Sequence, residues 1–157
     1  MNTTTVPDYT YYDHVLLSIE RDPDKLSRPC VENDGTMPTA GIIRLLLGRA
    51  ETLDNGPPGS LGCAGLAANQ IGINARVIVV KISGRFKAFA SPVILGRFGA
   101  KYTALETCFS FPGQQRVAVR YPEIMVKAQG MPVPKKLRGH EAQAFQHEVD
   151  HLNGVLI

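Results

Sequence analysis

The chain has 157 residues, 44% of them hydrophobic and 20% charged, with a formal net charge of +3. That length suits one domain able to bury a core, the charge is too small to mark a nucleic-acid binder by itself, and no apolar run approaches the roughly 18 residues of a membrane span. Three cysteines, Cys30, Cys63 and Cys108, form no Cys-x-x-Cys pair and fit a reducing cytosol better than a disulfide scaffold.

In chain order, residues 1–18 show no basic region followed by an apolar one, so no signal peptide is expected, and the segment reads as loosely ordered. Pro38–Asp54 reads as a helix: Ile42, Ile43, Leu46, Leu47, Ala50 and Leu53 recur at helical spacing, and Pro38 suits a first turn. Asp54–Gly62 is dominated by Gly and Pro and reads as a loop. Arg76–Ile82 and Arg85–Ala90 are strand-like, with Ser83 and Gly84 as a tight hairpin turn. Val93–Leu95, Val117–Arg120 and Ile124–Ala128 read as further short strands. Pro132 and Pro134 suggest an edge strand, since proline cannot donate to a ladder. A last helix runs Glu141–Asn153, with Gly154 placed to end it. The expected fold class is α+β: two helices and short, mostly antiparallel strands.

That last helix carries the strongest chemical signal, His147-Glu148-Val149-Asp150-His151. Two histidines four apart share a helix face, so both rings can reach one metal ion. Glu148 is placed for proton transfer rather than ligation, as a base and then a proton donor. Gln143, Gln146, Asp150 and Asn153 form one narrow polar strip, with Ala144, Phe145, Val149, Leu152 and Val155 around it. So little polar surface predicts a central helix with its His-Glu-His face inward. The pentapeptide also arises by chance, but buried, unpartnered His and Glu would be costly, which favours a metal.

No His or Glu follows His151, so the third ligand should lie upstream. Cys108, in Glu106-Thr107-Cys108-Phe109-Ser110, is the best candidate. A thiolate suits iron(II), zinc, nickel or cobalt, and two His plus one Cys leave a fourth position open, as a catalytic site requires. The bland alternative for a lone cysteine is a small buried hydrophobe, the reading taken for Cys30. Cys63 borders a third segment, Gly62–Gly72, whose small residues permit close backbone approach to a ligand. Its Gln70 offers an amide N–H2 to a developing oxyanion, although such a segment is usually only a turn before a strand. These residues leave open an endopeptidase with a different third ligand. They also leave open a noncatalytic metal- or peptide-binding module, against which the intact Glu148 and Gln70 argue.

Together GLAANQIG, ETCFS and QHEVDHLNGVL, in that order, resemble the three signature motifs of the peptide deformylases. The similarity extends to SPVIL and YPEIMVKA on either side of ETCFS and back through Ile19–Leu26, so it covers residues 19–157. The resemblance implies a single catalytic domain over that range, built around the metal-binding helix. It assigns Cys108, His147 and His151 as ligands of one divalent ion, Fe2+ in the cell, with Zn2+, Ni2+ or Co2+ as alternatives. It makes Glu148 the general acid/base and gives Gln70 and the Phe109 backbone N–H the role of polarising a formyl oxygen. The Gly65 backbone would pair with the substrate chain as an added strand does. The implied substrates are formylated nascent peptides, which would lose their N-terminal formyl group as formate. The methionine side chain would need an apolar pocket, for which Ala64, Phe109 and Ala144 are the candidates. Cys63, Thr107 and Ser91 stand where the family often has Gly, Gly and Asn, and none of these departures removes a ligand. Only six residues follow His151, so no C-terminal helix docking on the ribosome is expected, as in short forms encoded by bacteriophages. No DNA or membrane partner is expected, and the chain is read as a monomer of the bacterial or phage-infected cytosol.

Overall fold

The computed structural model describes residues 19–157 except 34, 36 and 57–61. The expectation for residues 1–18, and the middle of the expected loop after Asp54, lie outside the described residues. The elements run α1 Pro23–Leu26, α2 Thr39–Asp54, β1 Gly65–Ala67, a one-turn 3-10 helix Ala68–Ile71, β2 Val77–Ile82, β3 Arg85–Ala90, β4 Val93–Phe98, β5 Tyr102–Cys108, β6 Phe111–Arg120, β7 Glu123–Lys127, β8 Lys135–Arg138 and α3 Gly139–Leu152.

α2 buries Ile42, Leu46, Ala50 and Leu53, a stripe at the i, i+4, i+8, i+11 positions that keeps one helix face on the core. α1 is a single turn that apolar periodicity could not have found. It forms because Pro23 pre-sets the first helical residue and Asp22 caps it, accepting the Asp24 N–H at 3.0 Å.

β1, β2 and β3 make an antiparallel sheet in that order. Residues 77–80 of β2 are all buried, because this strand is covered on both faces. Val77 and Val79 join the cluster built on α2, while Ile78, Val80 and Ile82 join the cluster built on α3. The sheet is therefore the middle layer between the two long helices. At the β2–β3 turn Ser83 and Gly84 have φ of 51° and 78°, the left-handed pair that a two-residue hairpin requires.

A second sheet has the order β4-β7-β8, and β5 pairs only with β6. The expected edge strand is β8, which starts just after Pro134 rather than containing the prolines. One strand was not expected and one expected start needs correction. The segment preceding Cys108 is itself a strand, β5, and β6 begins at Phe111 instead of Val117. This ribbon inverts the usual pattern, which hides it. Glu106 and Arg120 are buried on its inner face, while Leu105, Val117 and Val119 on its outer face are 66%, 64% and 59% exposed.

The strip of polar residues on α3 also differs from its expected role. Gln146 is buried, accepting the Tyr121 N–H at 2.9 Å and donating to the Tyr121 carbonyl at 2.9 Å. Gln143 accepts from the Tyr102 hydroxyl at 3.1 Å, and Asp150 holds Arg120. The strip is a seam that joins α3 to the strands, not a solvent face. Among the described residues no helix is long and apolar enough to cross a membrane.

Candidate metal centre

α3 presents His147 and His151 one turn apart, and β5 delivers Cys108 from its last position. His151 Nε2 lies 3.1 Å from His147 Nε2 and 3.2 Å from Cys108 Sγ. All three donor atoms fall within 4.8 Å of one another. Both rings are buried. Two imidazole nitrogens cannot face each other at that distance with both lone pairs exposed; a proton or a cation must lie between them. One sulfur and two nitrogen donors are the mixture that divalent iron, zinc, nickel or cobalt accepts, with one position left open. The residues therefore fit a catalytic metal.

His147 is fixed from behind. Its Nδ1–H donates to Glu106 Oε1 at 2.9 Å, which directs Nε2 at the cluster, as an outer partner of a metal-binding histidine should. Glu106 grips Arg120 with both oxygens, at 2.9 and 2.6 Å, and Arg120 continues to Asp150 Oδ2 at 2.6 Å. Burial alone would raise the Glu106 carboxyl, but the hydrogen bonds from Arg120 and His147 overcome it and hold the group at about 2. Burial likewise works against a charged His147, yet its bonds to Cys108 and Glu106 raise it to about 10. His151 is pushed down to about 3 by burial first and the His147 charge second. These opposed shifts favour one proton beyond the two neutral rings, on His147 rather than His151, and a bound cation would displace it.

Glu148 is buried beside the cluster, and its Oε2 has no hydrogen-bond partner. Burial pushes its carboxyl up to about 7, with the His147 charge pulling the other way. A carboxyl poised near neutrality is suited to taking and returning a proton. Gly65 makes room for it. A Cβ at position 65 would come within 2.8 Å of the Val79 carbonyl oxygen and 3.0 Å of Glu148 Cγ.

Gln70 is buried on the far side. Its Oε1 accepts the Ala67 N–H at 2.9 Å, and its Nε2 donates to Cys108 Sγ and Ser110 Oγ, both at 3.2 Å. The carboxamide is therefore locked with its donors toward the cluster. Asn69 ties the same turn to α3 by donating to the His151 carbonyl at 2.7 Å.

The structure thus brings Cys108, His147, His151, Glu148, Gln70 and Gly65 together. The three candidates for an apolar pocket are more scattered. Ala64 is exposed, Phe109 packs on the α2-side cluster and Ala144 on the α3-side cluster. All three cysteines are free; Cys30 is a core residue as expected, and Cys63 is buried with its thiol donating to the Gly65 carbonyl at 3.3 Å. Sequence reasoning gave no role to Glu106 and Arg120 and placed Asp150 and Gln146 only in a polar strip. One signal was available: Glu106 precedes Cys108 by two, the period that keeps both on one face of a strand.

A model of the polypeptide deformylase family matches residues 19–157. A peptide deformylase of Pelotomaculum thermopropionicum is 40% identical over 118 residues, covering 73% of this chain and 72% of that protein. The crystal structure of peptide deformylase from Thermotoga maritima superposes with a TM-score of 0.72 at 32% identity, covering 88% of this chain and 92% of the other. The deformylase of a Vibrio parahaemolyticus bacteriophage, solved in complex with actinonin, gives 0.75 at 25% identity, covering 89% and 99%.

Proposed function

The chain belongs to the peptide deformylase family, and from that premise we propose which of its residues remove the formyl group from N-formylmethionyl peptides. The observation that carries the assignment is the convergence of Cys108, His147 and His151 next to a buried carboxyl with one unpartnered oxygen. These three residues would hold one divalent ion, Fe2+ in the cell, which when bound supplies Lewis-acid polarisation and a water nucleophile active near neutral pH. Glu148 takes the proton released as water oxygen adds to the formyl carbon. Gln70 Nε2 and the Phe109 N–H donate to the formyl oxygen as it gains negative charge. The carbon–nitrogen bond then breaks, and Glu148 returns the proton to the leaving amine. Formate and a free methionyl amine are the products.

β1 has β2 as its sole strand neighbour among the described residues, so its other edge is open to pair with the substrate backbone through Gly65. For the methionine side chain the candidates are Ala64, Phe109 and Ala144 taken singly, since Phe109 packs on the α2-side cluster and Ala144 on the α3-side cluster. The monomer is read as the active unit, acting on formylated nascent peptides in the cytosol.

Formate release from formyl-Met-Ala, measured anaerobically with Fe2+ supplied, tests the reading. A metal-loaded protein that releases no formate overturns it. Elemental analysis of Cys108→Ala should show the ion lost, and full occupancy would remove Cys108 from the ligand set.

A further inference from the structure

Asp54 is the last residue of α2, where a carboxylate opposes the helix dipole. A local choice that runs against its own helix calls for a reason elsewhere in the fold. Both of its oxygens are committed outside the helix. Oδ1 accepts the Cys63 N–H at 3.0 Å, and Oδ2 takes Lys81 Nζ at 2.6 Å. Lys81 lies on β2, and its own N–H donates to the Ala64 carbonyl at 2.9 Å. One ion pair thus reaches the N–H of Cys63 and, through Lys81, the carbonyl of Ala64, the two residues that lead into Gly65.

The neighbouring residues leave room for this arrangement. A Cβ on Gly62 would come within 3.0 Å of Asp54 Oδ1, so the carboxylate takes space that a side chain would contest. The Cys63 thiol adds a third tie by donating to the Gly65 carbonyl at 3.3 Å. Gly65 itself sits against Val79 and Glu148 with no room for a Cβ, so its own position is fixed by packing and the clamp acts on the backbone that leads into it. The ion pair is partly exposed, at 36% and 23% for its two side chains, and such pairs add little to global stability. Its consequence is geometric. The Asp54 carboxyl is held below its ordinary value by the Cys63 N–H first and Lys81 second, so it stays charged.

We propose that the Asp54–Lys81 pair is a positioning clamp that fixes residues 63–65 for pairing with the substrate backbone, setting affinity for the peptide chain rather than the rate of deformylation. This rests on the reading of β1 as the substrate-binding edge. Asp54 and Lys81 touch no reacting atom and act through the strand they hold.

The test uses the metal-loaded enzyme and two substrates: formyl-Met-Ala-Ser, which offers a backbone to the edge, and formyl-methioninamide, which offers almost none. Asp54→Ala, which loses both contacts, should raise KM for the tripeptide about tenfold with kcat within about twofold. KM for formyl-methioninamide should move far less. Asp54→Asn keeps an acceptor for the Cys63 N–H without the charge and should fall between, as should Lys81→Met. These two variants carry the test if Asp54→Ala fails to fold or to hold metal. An unchanged tripeptide KM, an equal rise for both substrates, or a fall in kcat alone overturns the clamp. If the wild-type enzyme releases formate from neither substrate, it is the deformylase reading that fails. The clamp is then judged by hydrogen exchange at the Cys63 amide, which must quicken in Asp54→Ala; unchanged exchange overturns it.

Discussion

α2 and α3 press on opposite faces of the same three-stranded sheet, yet they are built on different principles. The buried residues of α2 are Ile42, Leu46, Ala50 and Leu53, all apolar. Those of α3 are Ala142, Phe145, Gln146, His147, Glu148, Val149, His151 and Leu152, half of them polar. Burying apolar side chains asks only for volume and shape, whereas burying Gln146 or His147 asks for one particular partner each. Tyr121 and Glu106 are those partners. The α2 face can be rebuilt with other aliphatic residues; the α3 face is tied to its neighbours atom by atom. Two buried atoms on that face lack a hydrogen-bond partner, Glu148 Oε2 and His151 Nδ1, and in the proposed reading the free carboxylate oxygen is the one Glu148 uses for proton transfer.

The largest effect expected from this contrast lies at Glu148. Glu148→Ala should retain the metal by elemental analysis and lose about 10²–10⁴-fold in formate release. Activity within a few-fold of wild type would mean that the unpartnered oxygen is incidental. Next comes Arg120→Met, which leaves Glu106 and Asp150 without their shared cation. Breaking a buried pair from one side costs about 3–5 kcal/mol, read as a lower urea midpoint, and metal affinity should fall about 10–100-fold because His147 loses its fixed orientation. A midpoint shift without a change in metal affinity would separate the Arg120 network from the metal.

Leu46→Ala on the other helix should cost about 2–5 kcal/mol of stability while metal content and kcat stay unchanged. Loss of metal in that variant would erase the distinction between the helices. A pH series sharpens it. Glu106 is held at about 2 in the fold, below its ordinary unfolded value, so its contribution is complete above the usual carboxylate range and is lost as pH falls toward 2. Wild-type stability in urea should decline through that window, and Arg120→Met, with the group no longer held so low, should show a shallower decline there. An equal decline in both would detach the effect from Glu106. The smallest effect belongs to Leu46→Met, a near-equal volume exchange that should cost less than about 1.5 kcal/mol and leave catalysis untouched.

The two helices were also unequally legible. α2 was placed within one residue of its start because its stripe repeats at the helical period. The pair His147 and His151 was equally clear, since four residues fix one turn and one face. The β5–β6 ribbon was not, because its alternation runs backwards: Leu105, Val117 and Val119 face outward, and Glu106 and Arg120 face in. A pattern reading assigns charge to solvent and so misses β5, the strand that ends in Cys108. Gln146 was assigned to a polar strip for the same reason, though its amide is spent on the Tyr121 backbone.

By itself the sequence determined the helix that puts His147 and His151 on one face, the Glu148 beside them, Cys108 as the candidate third ligand and the family to which these motifs belong. Each of these is either local geometry, one helical turn from His147 to His151, or a run of residues read directly. Only the tertiary structure decided what steadies them. Glu106 meets His147 across 41 residues of chain, Cys108 meets His151 across 43, and Asp54 reaches Lys81 across 27. No spacing rule links residues so far apart. Their meeting depends on which strand faces which helix, and that is set by the packing of apolar faces on both sides of one sheet.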